Sequence, residues 1–90
     1  MKVIFISLAR FRNKPTKETV AQTTKLFEQM VKEGSKILGV YWMLGKYDVL
    51  VIVEGKDEKT AMKSLLRFGD IVSTETCVAV TREDALKLLD

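Results

Sequence analysis

Apolar residues in this 90-residue chain come in bursts whose spacing switches between two periods. Lys2 to Ala9 is a run of β-branched and apolar residues too short for a helix, and it reads as a buried strand. Past the polar stretch Arg10 to Lys14, either Pro15 occupies the first turn of a helix or Thr16 caps it. Val20, Thr23 or Thr24, Phe27, and Met30 or Val31 then recur at helical spacing, with Lys17, Glu18, Lys25, Glu28 and Lys32 on the wet side. Gly34 is the C-cap that ends this helix. Lys36 to Leu44 and Tyr47 to Glu54 are β-rich and joined by Gly45-Lys46, which predicts a hairpin with Gly supplying a positive φ. A two-residue loop pairs Leu44 with Tyr47, Trp42 with Val49 and Val40 with Val51 on one face. It pairs Met43 with Asp48, Tyr41 with Leu50 and Gly39 with Ile52 on the other. Asp57 is placed to cap a second helix with the stripe Ala61, Met62, Leu65 and Leu66, extendable to Phe68, stopped at Gly69-Asp70. Ile71 to Val80 alternates as a last strand, and Thr81 opens a short terminal helix.

The order is strand, helix, strand, strand, helix, strand, with a helical tail. Right-handed crossovers fold it into a four-stranded antiparallel sheet in the order 4-1-3-2, with both main helices on one face. That is an α+β, ferredoxin-like βαββαβ sandwich, and with no linker or repeat it forms a single domain over residues 1–90. Parity assigns Ile4, Ile6, Leu8, Leu38, Val40, Trp42, Leu44, Val49, Val51, Val53, Val78 and Val80 to the helix side, with Thr74 and Thr76 as tolerable exceptions on an edge strand. The opposite face receives Val3, Phe5, Ser7, Ile37, Gly39, Tyr41, Met43, Asp48, Leu50, Ile52, Glu54, Ile71, Ser73, Glu75, Cys77 and Ala79. That second face is far more apolar than a solvated sheet face should be. A second copy, sheet against sheet, is the simplest cover, which predicts a homo-oligomer built as a dimeric α/β barrel.

The same face also carries polar groups. Ser7, Asp48, Ser73 and Glu75 fall near one another where the first strand ends, with Tyr41 and Met43 beside them and Arg10 and Arg12 as natural partners. A partly polar pocket between packed sheets suits a small metabolite, so the candidate ligand-binding residues are Asp48, Tyr41, Tyr47, Ser7, Glu75 and Arg10. A plainer reading stands beside it: Asp48 satisfies backbone donors at the hairpin mouth, and Glu75 pairs with Arg or Lys.

Composition narrows the chemistry. With no His and a single Cys, the chain has no intramolecular disulfide, no His- or Cys-cluster zinc site, no His base for a catalytic triad and no histidine axial ligand for haem. It implies no cofactor and no metal. The net charge of +3 is mild, and acidic residues interrupt the basic ones, as in Lys56-Asp57-Glu58-Lys59. This mixed surface argues against nucleic acid, whose phosphates call for a basic stripe with aromatics. Neither GxGxxG nor GxxxxGK[ST] occurs. No apolar stretch is long enough to span a membrane, and the N-terminus lacks a secretory pattern. Lone Cys77 fits a reducing, cytoplasmic setting.

The hairpin string Gly39-Val40-Tyr41-Trp42-Met43-Leu44-Gly45-Lys46-Tyr47-Asp48-Val49-Leu50-Val51-Ile52-Val53-Glu54 resembles the GYD-domain family, through its Gly45, Tyr47 and Asp48. The likeness extends to the opening strand, to Ala61-Met62-Lys63, to Ser73-Thr74-Glu75-Thr76 and to Thr81-Arg82-Glu83; the stretch around Phe68-Gly69-Asp70 departs from it, being shorter than the family's usual loop. The resemblance implies an assembling ferredoxin-like protein of unsettled role and supplies no catalytic residue. The hairpin is also similar to the ligand-binding (RAM) module of leucine- and asparagine-responsive transcription regulators, which implies small-molecule sensing near Asp48, by analogy. The expected function is a non-enzymatic, oligomeric small-molecule-binding or sensing module. The alternatives are a cofactor-free monooxygenase or isomerase using Asp48 or Glu75 as acid or base with Tyr41 as proton donor, and a purely structural module whose sheet edge receives another chain.

Overall fold

The computed structural model describes residues 3–89; Lys2, the expected first residue of the opening strand, lies outside the described residues with Met1 and Asp90. The elements are β1 (Val3–Phe11), α1 (Lys17–Lys32), β2 (Lys36–Trp42), β3 (Val49–Gly55), α2 (Glu58–Phe68), β4 (Val72–Ala79) and α3 (Arg82–Leu86). They form one antiparallel sheet in the order β2-β3-β1-β4, the arrangement expected from the sequence read from the other edge.

Local chemistry explains where the elements begin and stop. Thr16, not Pro15, caps α1: its hydroxyl oxygen accepts from the Thr19 N–H at 3.1 Å. At the other end Gly34 adopts φ +101°. The Gly34 N–H donates to Val31 O at 3.1 Å and the Ser35 N–H to Met30 O at 3.0 Å, a Schellman stop. Asp57 caps α2 through the Thr60 N–H at 2.8 Å, and Thr81 caps α3 through the Asp84 N–H at 3.0 Å. The hairpin register is the expected one, Trp42 opposite Val49, Val40 opposite Val51, Tyr41 opposite Leu50 and Gly39 opposite Ile52. Beyond it the Met43 N–H donates to Asp48 O at 2.8 Å, and the chain turns through Gly45 at φ +121°. The expected Leu44–Tyr47 pair does not form; Leu44 projects fully into solvent.

Three face assignments are corrected, and one residue on its expected face is more exposed than a core position. The parity of β1 is the reverse of that expected. Phe5 stands opposite Val53, Ser7 opposite Val51 and Ala9 opposite Val49, so Phe5, Ser7, Ala9 and Phe11 lie under the helices while Ile4, Ile6 and Leu8 face outward. Both faces of β1 are apolar, so alternation alone cannot choose between them; pairing with β3, whose parity was read correctly, does. In β2 the register slips between Ile37 and Gly39, a bulge that turns Ile37 onto the core and leaves Leu38 exposed. Ile71, ahead of β4, packs on the core instead of facing out. Trp42 is on the helix side as expected but is 60% exposed, at a rim the helices do not cover, with its ring 5.3 Å from that of Phe11.

The buried cluster is Ala9, Met30, Val49, Val51, Val53 and Val72, with Phe27 and Phe68 packed against it and against each other at 5.2 Å. Each main helix contributes a single buried residue, Met30 from α1 and Ser64 from α2. Charge also ties the helices to each other. Arg67 donates from Nη1 and Nη2 to the two carboxylate oxygens of Glu33 at 2.6 and 2.9 Å, joining α2 to the end of α1.

Candidate functional site

The sheet presents two different surfaces. On the outer one, registers bring Ile4, Ile6 and Leu8 of β1 beside Leu50 and Ile52 of β3, a contiguous aliphatic strip. β4 lines it with Glu75 opposite Leu8, Cys77 opposite Ile6 and Ala79 opposite Ile4. Cys77 is an exposed free thiol, and Tyr41 stands exposed across from Leu50. The ring of Tyr41 lies over Gly39, where a β-carbon would come within 2.8 Å of it.

A polar group closes one end of this face. The Tyr47 hydroxyl meets the Glu75 carboxylate. Donating that hydrogen bond to the carboxylate is the main reason the phenol is held above its ordinary pKa, with burial second. Lys46 Nζ lies 5.5 Å and the Arg10 guanidinium 6.0 Å from the centre of the Tyr47 ring, and Arg10 Nε donates to Lys46 O at 2.7 Å. Arg10, Tyr47 and Glu75, all expected in one site, therefore do meet.

Asp48 has another task. Its N–H donates to Ala9 O at 2.8 Å, and its Oδ2 accepts from the Phe11 N–H at 2.9 Å. It pins the end of β1 to the hairpin mouth, the bracing role weighed against ligand binding. Ser7 corrects the expected cluster outright. It lies on the far side of the sheet from Glu75, where its Oγ shares a hydrogen bond with Thr76 Oγ1 at 2.8 Å. The reversed parity of β1 puts it there.

That far side holds what the sequence reading did not find. Between sheet and helices is a cavity of about 340 Å³. Its floor is made of small side chains, Ser7 and Ala9 from β1 and Thr74 and Thr76 from β4, and its roof includes Thr23, Thr24, Ala61 and Ser64. Phe5, Phe11, Phe27, Trp42 and Phe68 supply the walls, and none of the described lining residues is ionisable. The available signal was the run of small residues at matching parity on two neighbouring strands, which reads as a cavity only once the strand order and the β1 parity are known. Among the described residues no group of three metal-ligating side chains converges, and no helix is long and apolar enough to cross a membrane.

Solved structures share this architecture. LrpC of Bacillus subtilis matches with a TM-score of 0.65 at 14% identity, over 89% of this chain and 51% of that one, so the present chain spans about half its length. A dimeric ferredoxin-like protein of unknown function from Thermobifida fusca matches with a TM-score of 0.61 at 14% identity, over 90% of this chain and 92% of that one. SnoaB, a cofactor-independent oxygenase from Streptomyces nogalater, matches with a TM-score of 0.58 at 11% identity, over 90% and 93%. At such identities the likeness is one of fold. A comparison with curated proteins gives no match. The model of the GYD domain matches residues 5–89, a span that takes in the Gly45–Asp48 turn, the outward aliphatics from Ile6 onward and the Ser7–Thr76 floor alike, and the chain belongs to the GYD-domain family.

Proposed function

We propose that this chain is a self-associating, non-enzymatic module that binds a small metabolite, two copies meeting through the sheet faces that carry no helix. The observation that carries this reading is the strip of Ile4, Ile6, Leu8, Leu50 and Ile52, since α1 and α2 lie on the other side of the sheet. Water against such a patch is costly, and an identical patch on a second copy is self-complementary about a two-fold axis. The dimeric relative from Thermobifida fusca, with the same fold, supports the pairing.

Pairing would draw Arg10, Tyr47 and Glu75 to the border of a closed interface, with Tyr41 across the sheet from them. Arg10 and Lys46 offer positive charge and Glu75 an acceptor, so a small amino-acid-like molecule with both carboxylate and ammonium would find a partner for each. Asp48 serves this site by fixing the strand end from which Arg10 projects. The exposed thiol of Cys77 suits a reducing, cytoplasmic setting. For the enzyme alternative the support is the fold shared with SnoaB. Its candidate acids and bases are already engaged, Asp48 by the Phe11 N–H and Glu75 by Tyr47.

Sedimentation of the wild type at tens of micromolar should give a dimer or a multiple of one, and Ile6→Glu should give a monomer. Dialysed protein screened against amino acids and small acids should show a rise in melting temperature that Arg10→Ala removes. A wild type that sediments as a monomer overturns the reading.

A further inference from the structure

We propose that the cavity between the helices and the sheet is a second binding site, for a neutral, flat, largely apolar ring compound that carries one oxygen acceptor. This goes beyond the reading above, which concerns the opposite face of the sheet and a charged ligand.

Three observations define the occupant. The first is size and shape. An apolar cavity of roughly 150 Å³ accommodates one benzene ring. The 340 Å³ here leaves room for about two fused rings and a substituent, between aromatic walls that favour a flat π-system. The second is charge. With no ionisable side chain lining it, the cavity would strip a carboxylate or ammonium of its water and return no counter-charge, so charged molecules are selected against.

The third is the hydroxyl inventory. Thr23 and Thr24 both donate to Val20 O, at 2.6 and 3.1 Å, and Ser64 donates to Thr60 O at 3.2 Å, so the roof hydroxyls spend their hydrogens within their own helices. On the floor, Ser7 and Thr76 share one hydrogen bond at 2.8 Å. Two hydroxyls carry two hydrogens and one lies between them, which leaves the other to donate toward the cavity. The Ser7–Thr76 pair is thus a donor site for one carbonyl or hydroxyl oxygen on the ligand, while Thr74, on the exposed side of the floor, and Ser35 carry further hydroxyls. Access is by the rim where Trp42, exposed on one side, leans on Phe11.

The test uses 2-naphthol, naphthalene and 2-naphthoate as probes on the full chain, read by melting temperature and by the methyl NMR shifts of Val51 and Val72. Naphthalene and 2-naphthol should both raise the melting temperature and move those methyl signals. The naphthol should bind about fivefold more tightly than naphthalene for its one extra hydrogen bond, and 2-naphthoate at least about tenfold more weakly than the naphthol. Ser7→Ala combined with Thr76→Val, which removes both hydroxyls of the pair, should erase the naphthol's advantage and leave naphthalene binding intact. Ala61→Phe, which fills the space from the roof, should abolish binding of both while melting no lower than the wild type. Ile6→Glu, on the outer face, should still bind the naphthol, so this proposal survives if the sheet-to-sheet reading fails. No response to the neutral probes at their solubility limit overturns it, as does 2-naphthoate binding as tightly as the naphthol. So does an Ala61→Phe protein that melts well below the wild type, because the helices then close onto the sheet and leave no space.

Discussion

Glu33 is the residue on which the helical layer turns. It ends α1, receives both Nη atoms of Arg67 and has Lys63 Nζ at 3.5 Å. The Arg67 hydrogen bonds are the main reason its pKa is lowered from 4.5 to about 2. A carboxyl with a depressed folded-state pKa stabilises the fold fully above its unfolded value, and that stabilisation drains away as pH falls through the folded value. The helix clamp should therefore be intact at neutral pH and be lost between about pH 4.5 and 2. Thermal melts of the wild type and Glu33→Gln should differ most near neutrality, with the variant lower, and converge by pH 2. An undiminished gap at pH 2 would show that the clamp does not titrate. No periodicity in the sequence links Glu33 to a residue 34 positions away, so this pair could not be read in advance. Arg10, Tyr47 and Glu75 could be, because they sit where strand ends and the parity of β4 converge. Ser7 could not, since its side depends on the strand with the weakest pattern.

At the scale of elements, what is locally encoded was legible. Three helix caps, the glycine stop after α1 and the hairpin register all rest on contacts within a few residues or across one turn. The facing of β1 rests on the whole sheet. Ile4, Ile6 and Leu8 are as suited to a core as Phe5, Ala9 and Phe11, and a strand apolar on both sides carries no signal for which side meets the helices. The structure buries Phe5 to 5% exposure beneath the helices and folds its ring over Gly55, where an added β-carbon would come within 3.2 Å of it. Phe5→Ala should thus cost about 3 kcal/mol of stability, as large aromatic truncations in a core do. Urea unfolding measures this directly. A loss below about 1 kcal/mol would mean that Phe5 faces solvent and that the sequence-based parity was right after all.

For the molecule as a whole, the two layers differ in how firmly they are held. β1 and β3 are interior strands with ladder partners on both sides, and they carry most of the buried cluster. The helices span the 340 Å³ cavity, bury Met30 and Ser64 between them and meet through the ion pairs of Glu33 with Arg67 and Lys63 and through the Phe27–Phe68 contact. Native interiors are packed to crystal-like density, and a layer that does not reach that density gives up the dispersion contacts that would lock it down. Such a layer opens before the sheet does. Hydrogen exchange should show it: amides of α1 and α2, such as Phe27 and Leu65, should be at least about tenfold less protected than Ile6 and Ile52, a gap of about 1.4 kcal/mol in opening free energy. If two copies also meet through the outer face, protection of Ile6 and Ile52 should rise with protein concentration while that of the helices stays fixed. Equal protection in both layers would mean the helices are held to the sheet as firmly as the strands to one another, and a ligand could then enter only by the Trp42 rim.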